Sequence, residues 1–167
     1  YDLDGEYFGK IFSKINNKTT NFIFISKSGQ TFEIKNLLTE TLKKIKEKKI
    51  EISSCLYFIT ENNSGYLNTF GKKNNVETFH INPNIGGRFS VLSKSSLIAC
   101  EMMDVNWKKI IIGAMSAYKK LYLNGFKEIN YLSNFYYKHL GKNKTNTGLI
   151  SYKNNLDSFG EWFMQLW

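Results

Sequence analysis

Two short runs constrain the fold of this chain more than anything else in it. Asn21-Phe22-Ile23-Phe24-Ile25 and Cys55-Leu56-Tyr57-Phe58-Ile59-Thr60 are nearly continuous in apolar character and rich in β-branched and aromatic residues. A strand wetted on one face alternates apolar with polar residues. A strand covered on both faces reads as an unbroken apolar run, and such strands belong to parallel sheets. Between the two runs, Gln30 to Lys48 sets Ile34, Leu37, Leu38, Leu42 and Ile45 at helical spacing, with charges on the other side. Strand, helix, strand in that order is a crossover unit.

The alternation continues along the chain. Asp4 to Ile15 is a short helix with Tyr7, Phe8, Ile11 and Phe12 on one face. After the second strand, Asn62-Asn63-Ser64-Gly65 is a loop leading into a short helix that ends near Gly71. Val76 to Ile81 is a third strand. Ser96–Met102, Val105–Leu123 and Phe126–Leu140 read as helices, with Gly141 as the C-cap of the last. The middle one is nearly apolar through Ile110–Met115, which predicts that it is well buried. Thr147 to Tyr152 is expected to be a fourth strand. Asn154 to Trp167 closes the chain as a helix with Leu156, Phe159, Phe163 and Leu166 on one side. The expected fold is α/β: a three-layer α/β/α sandwich around a mainly parallel sheet, doubly wound in the flavodoxin-like manner. It is one domain over residues 1–167, with helices on both faces and ligands at the carboxyl ends of the strands.

Composition narrows the function. The chain has 167 residues, 42% of them hydrophobic, which suits a folded domain with a sizeable core. No run of 18 apolar residues is present, so no membrane span is expected. The formal charge of +9 sits mostly on lysines of helix faces, such as Lys43, Lys44, Lys46, Lys48 and Lys49. Recognition arginines and a strand-borne aromatic stacking motif are missing, so a solvated face is favoured over a nucleic-acid surface. His80 and His139 lack neighbours at metal-ligand spacing, and no metal site is expected. Cys55 and Cys100 lie in separate runs, which points to a reducing compartment rather than a disulfide framework. The chain opens on Tyr1 and closes on Trp167 inside a helical pattern, so both ends read as cut from a longer protein.

Two segments could carry chemistry. Ser26-Lys27-Ser28-Gly29-Gln30-Thr31 lies where the first strand ends and its helix begins. Backbone N–H groups and the helix dipole favour an anion there. Ser26, Ser28 and Thr31 add hydroxyls, Lys27 adds charge, and Gly29 permits a tight turn. The spacing is not that of a Walker loop, and an ordinary Ser/Thr helix cap is the alternative. The second segment is Asn82-Pro83-Asn84-Ile85-Gly86-Gly87-Arg88-Phe89-Ser90, delivered by the third strand. It holds the chain's only proline and only arginine. A planar fork has no lysine substitute where the contact must have fixed geometry. Gly86 and Gly87 let the backbone take positive φ or let a ligand come close. The alternative is a tight turn whose arginine pairs with a carboxylate. Glu33, in the first turn of the helix, and Gln165, near the chain end, have plain structural readings as a dipole complement and a surface amide.

In order, these parts resemble the glucose-6-phosphate isomerase family, specifically its first sugar isomerase (SIS) domain. The likeness rests on the Ser26–Thr31 loop, on Ile85-Gly86-Gly87-Arg88-Phe89-Ser90-Val91-Leu92-Ser93, and on Gly160-Glu161-Trp162-Phe163-Met164-Gln165-Leu166-Trp167. It covers nearly the whole chain. The resemblance implies substrate phosphate on Ser26, Lys27, Ser28 and Thr31, with Gln165 close by. It implies that Gly86 and Gly87 admit substrate, that Arg88 stabilises enediolate charge, and that Glu33 stands near a catalytic histidine. Gln30 stands where the family often carries a second threonine. The family's preceding glycine-rich segment is missing. Its glutamate base, later histidine and lysine fall outside these residues. The implied protein is a cytoplasmic, glycolytic and gluconeogenic isomerase of glucose 6-phosphate and fructose 6-phosphate, cofactor-free and homodimeric, whose present piece alone is inactive. A SIS domain that senses a sugar phosphate without catalysis is the alternative.

Overall fold

A computed structural model describes residues 5–15, 20–62 and 64–167, with residue 155 described by its backbone only. Asp4 and Asn63, placed above in a helix and a loop, lie outside the described residues. The chain divides into two compact units, Tyr1–Ala99 and Cys100–Trp167.

The first unit carries the sheet. Helix α1 (Gly5–Ser13) precedes β1 (Phe22–Ile25), α2 (Phe32–Glu47), the single turn α3 (Ile52–Cys55), β2 (Leu56–Glu61), α4 (Tyr66–Lys73) and β3 (Glu77–Ile81). Helix α5 (Lys94–Met102) runs across the boundary between the units. The strands are parallel in the order β1-β2-β3. Phe22 pairs with Leu56, Phe24 with Phe58 and Phe58 with Thr78, which fixes the register. Each crossover is right-handed by rule. Two successive crossovers that step the same way across a sheet therefore place their helices on one face. That is observed: Leu38 of α2 and Leu67 of α4 join Phe24, Leu56, Phe58 and Val76 in one buried cluster. Leu38, Leu56, Phe58 and Leu67 are fully buried. Burying side chains of this size stabilises by about 1.5–3 kcal/mol each. The other face is closed at its centre, where Ile59 is fully buried, and open at the β1 edge, where Ile25 is exposed. The architecture is the expected α/β class, a parallel sheet with flanking helices.

Cys55 closes α3 instead of opening the strand, a turn that four residues are too few to announce as a helix. It is buried as a free thiol, and that burial pushes its pKa up. Cys100 is free and half-buried.

The second unit is helical: α6 (Trp107–Leu123), α7 (Lys127–Leu140) and α8 (Asp157–Leu166). Asn106 caps α6, its side chain accepting from Lys109 N–H at 3.2 Å. Gly125 and Phe126, at φ +59° and +57°, turn the chain into α7. There Phe126 meets Tyr118 and Tyr122 of α6 edge-on. Gly141 is the C-cap of α7 as expected, with ordinary right-handed backbone.

Two expectations fail here. Residues 147–152 form no strand. A strand exists only through a ladder with a neighbour, and the described strands all lie in the first unit. Helix α6 has no buried residue, and Ile112, Met115 and Leu123 are 65%, 67% and 72% exposed. A helix apolar all round is buried only when neighbours surround it. Within its own unit α6 has the hairpin with α7, which leaves much of its circumference open.

The contrast is testable by denaturant unfolding. Leu38→Ala should cost about 2–5 kcal/mol, because it empties a closed site. Ile112→Ala should stay within about 0.5 kcal/mol of the parent.

Candidate functional site

The loop after β1 is built on the end of β2. Ser26 N–H donates to Ile59 O at 3.0 Å, continuing the strand pairing by one residue. Lys27 O then accepts from Glu61 N–H at 3.0 Å and from Thr60 Oγ1 at 3.2 Å. Gly29 O accepts from Leu67 N–H at 3.2 Å, which ties the loop to the start of α4. Inside the loop, Ser26 Oγ accepts from Gly29 N–H and Ser28 Oγ from Gln30 N–H, each at 3.2 Å. The serines thus order the loop amides.

Gly29 is the loop's conformational key. Its φ is +63°, and a Cβ there would lie 2.9 Å from Thr60 Oγ1 and 3.3 Å from Leu67 Cβ. Beyond it, Thr31 occupies the N-cap position of α2 with extended backbone, and its side chain makes no capping bond. The helix start therefore keeps N–H groups that its cap residue does not satisfy, at the positive end of a 16-residue dipole. Glu33 lies in that first turn and is exposed.

The second segment leaves β3. Asn82 organises its start, accepting from Asn84 N–H through Oδ1 at 2.9 Å. Gly87–Phe89 forms one 3-10 turn, closed by Phe89 N–H to Gly86 O and Ser90 N–H to Gly87 O. Ser90 Oγ also donates to Gly87 O at 2.6 Å, and Ser96 Oγ to Ser90 O at 3.1 Å. Arg88 rides on this turn and is exposed. Neither Gly86 nor Gly87 has positive φ. A Cβ on Gly87 would meet nothing within 4 Å.

Because β1, β2 and β3 are parallel and adjacent, both segments leave the same carboxyl edge. With one strand between them, their bases are about 10 Å apart. The loop holding Ser26, Lys27, Ser28 and Thr31, which runs into the first turn with Glu33, and the segment holding Gly86, Gly87 and Arg88 thus start from one edge of the first unit. Gln165 is exposed on α8, in the second unit. Thr60 and Glu61 were missed from the sequence. The signal was available: Thr60 ends the second apolar run and Glu61 follows it, so they border whatever follows the first.

Relatives match this chain from end to end. A glucose-6-phosphate isomerase of Campylobacter jejuni is 30% identical over 159 residues, covering 95% of this chain and 38% of its own length. A protein of Methanococcus maripaludis named probable glucose-6-phosphate isomerase is 33% identical over 166 residues, covering 98% of this chain and 37% of its own. By sequence, the chain is similar over nearly its whole length to proteins named glucose-6-phosphate isomerase. It spans under two fifths of the length of these relatives. A hypothetical protein of Thermus thermophilus superposes with a TM-score of 0.65 at 26% identity, over 72% of this chain and 29% of that one. No family model matches. Among the described residues, no helix is long and apolar enough to cross a membrane.

The two glycine positions, Gly29 and Gly87, separate by experiment. Gly29→Ala should destabilise by about 1–3 kcal/mol, since it combines left-handed backbone with a close contact. Gly87→Ala should leave the unfolding midpoint nearly unchanged.

Proposed function

We propose that this chain supplies the substrate-phosphate end and the charge-stabilising arginine of a glucose-6-phosphate isomerase. The observation that carries the proposal is the shared carboxyl edge. The Ser26–Thr31 loop with the α2 N-terminus leaves β1 there, and the segment that carries the Arg88 turn leaves β3, with β2 between them.

In this function the phosphate monoester sits against Ser26, Lys27, Ser28, Thr31 and the first N–H groups of α2. Helix dipole, unsatisfied donors and one ammonium suit a dianion. The phosphate acts as a remote handle, and its binding energy positions the reacting carbons. Isomerisation removes the proton next to the carbonyl, passes through an enediolate and returns the proton to the adjacent carbon. Arg88 places a fixed positive fork where that negative charge develops. Gly86 and Gly87 leave room for the sugar beside it. Gln165 joins the phosphate side, and Glu33 orients a histidine elsewhere in the whole protein. None of these residues is proposed as the base. Catalysis is assigned to the whole homodimeric, cytoplasmic, cofactor-free enzyme of glycolysis and gluconeogenesis, and these 167 residues by themselves should not turn over fructose 6-phosphate. Both units belong to one SIS domain in this proposal.

Calorimetry on the full protein that carries this chain tests the loop. The double variant Ser28→Ala/Thr31→Ala should bind 6-phosphogluconate roughly ten- to a hundredfold more weakly, from the loss of two bonds to a charged acceptor. Binding as tight as the parent's would remove the phosphate assignment. Arg88→Lys keeps the charge and loses the fork. It should leave 6-phosphogluconate affinity nearly intact and lower kcat in a coupled assay.

A further inference from the structure

The end of β2 puts an acid where the proposed phosphate site needs positive charge. Lys27 Nζ lies 3.5 Å from Glu61 Oε1, with side chains 41% and 18% exposed. The pairing follows from the register. Ile25 stands opposite Ile59, so two residues further on Lys27 stands opposite Glu61. Both backbones are fixed before the side chains meet. Lys27 O accepts from Glu61 N–H and Thr60 Oγ1, and Glu61 O accepts from Nδ2 of buried Asn68. An ion pair on a tied backbone gives up less freedom than one between two loose side chains. It also sits on the loop itself, within reach of any anion that the loop takes.

We infer that Glu61 is the resident counter-ion of the phosphate loop. Its carboxylate holds the Lys27 ammonium while the loop is empty, and an incoming phosphate competes with it for that ammonium. Glu61 therefore sets the affinity of the loop by acting through Lys27, and it touches no reacting atom. The inference rests on the phosphate role proposed for Ser26–Thr31. It adds a determinant that opposes binding, at a position outside the loop. Its effect is bounded, because a half-exposed pair of this kind shifts an equilibrium by no more than about fivefold.

The test is a double-variant cycle read by calorimetry with 6-phosphogluconate, on the full protein that carries this chain, at one pH and ionic strength. Glu61→Gln should tighten binding about two- to fivefold. In a Lys27→Met background the same change should move binding by less than about 1.5-fold, since the contested ammonium is gone. Glu61→Asp keeps the charge at shorter reach and should fall between parent and Glu61→Gln, which supplies a reading if the glutamine variant folds poorly. No gain or a loss in Glu61→Gln, or an equal gain in both backgrounds, overturns the counter-ion role. The loop double variant separates the two claims. If Ser28→Ala/Thr31→Ala binds like the parent, the phosphate role falls and this inference with it. If that variant weakens binding while the cycle shows no coupling, Glu61 alone is misassigned.

Discussion

The main-chain bond from Glu61 N–H to Lys27 O is the constraint on which the site depends. It extends the β1–β2 ladder past the last strand residue and makes the Ser26–Thr31 loop a continuation of the sheet. Everything after it follows from geometry. Ser26 is drawn in and buried, Gly29 must turn with positive φ against Thr60 and Leu67, and α2 starts at a fixed place above the sheet. A loop held this way has its donors ordered before any ligand arrives. The ordering cost is met by folding and not by binding, which is the physical content of preorganisation.

The hydrophobic cluster beneath does the rest of the positioning. Phe24 and Phe58 meet edge-on at 6.1 Å, and Phe58 meets Phe70 of α4 at 6.1 Å. Gly71 lets α4 approach β3, since a Cβ there would lie 2.7 Å from Thr78 Oγ1. Close packing fixes the heights of the strands relative to the helices. Two segments distant in sequence therefore leave the same carboxyl edge, one strand apart.

The first unit was legible because its signals are local and agree with one another. The Asn21–Ile25 and Cys55–Thr60 runs fall within a residue of their strands, and the 3.6-residue period from Ile34 to Ile45 marks the buried stripe of α2. Local propensity and tertiary burial ask for the same structure there. The second unit was less legible because its expected features depend on neighbours. Whether Thr147–Tyr152 is a strand, or Ile110–Met115 a buried helix face, is decided by what lies alongside. Sequence periodicity reports the need for a partner and not its presence. The Lys27–Glu61 pair was hidden for a related reason: it joins residues 34 apart in number, and only the parallel register makes them neighbours.

The glycines show how a structure separates readings that a sequence leaves merged. A glycine can serve backbone conformation, packing, or access. At Gly29 the first two apply together, because φ is +63° and a Cβ would meet Thr60 Oγ1 at 2.9 Å. At Gly71 only packing applies. At Gly87 neither applies: φ is not positive, and a Cβ would point into open space. Stability therefore gives no reason for glycine at Gly87, next to the chain's one arginine. Access is the account left, and it is the one the proposed site requires. A methyl group beside Arg88 would stand where the proposed function puts sugar, so its cost should fall on substrate and not on the fold.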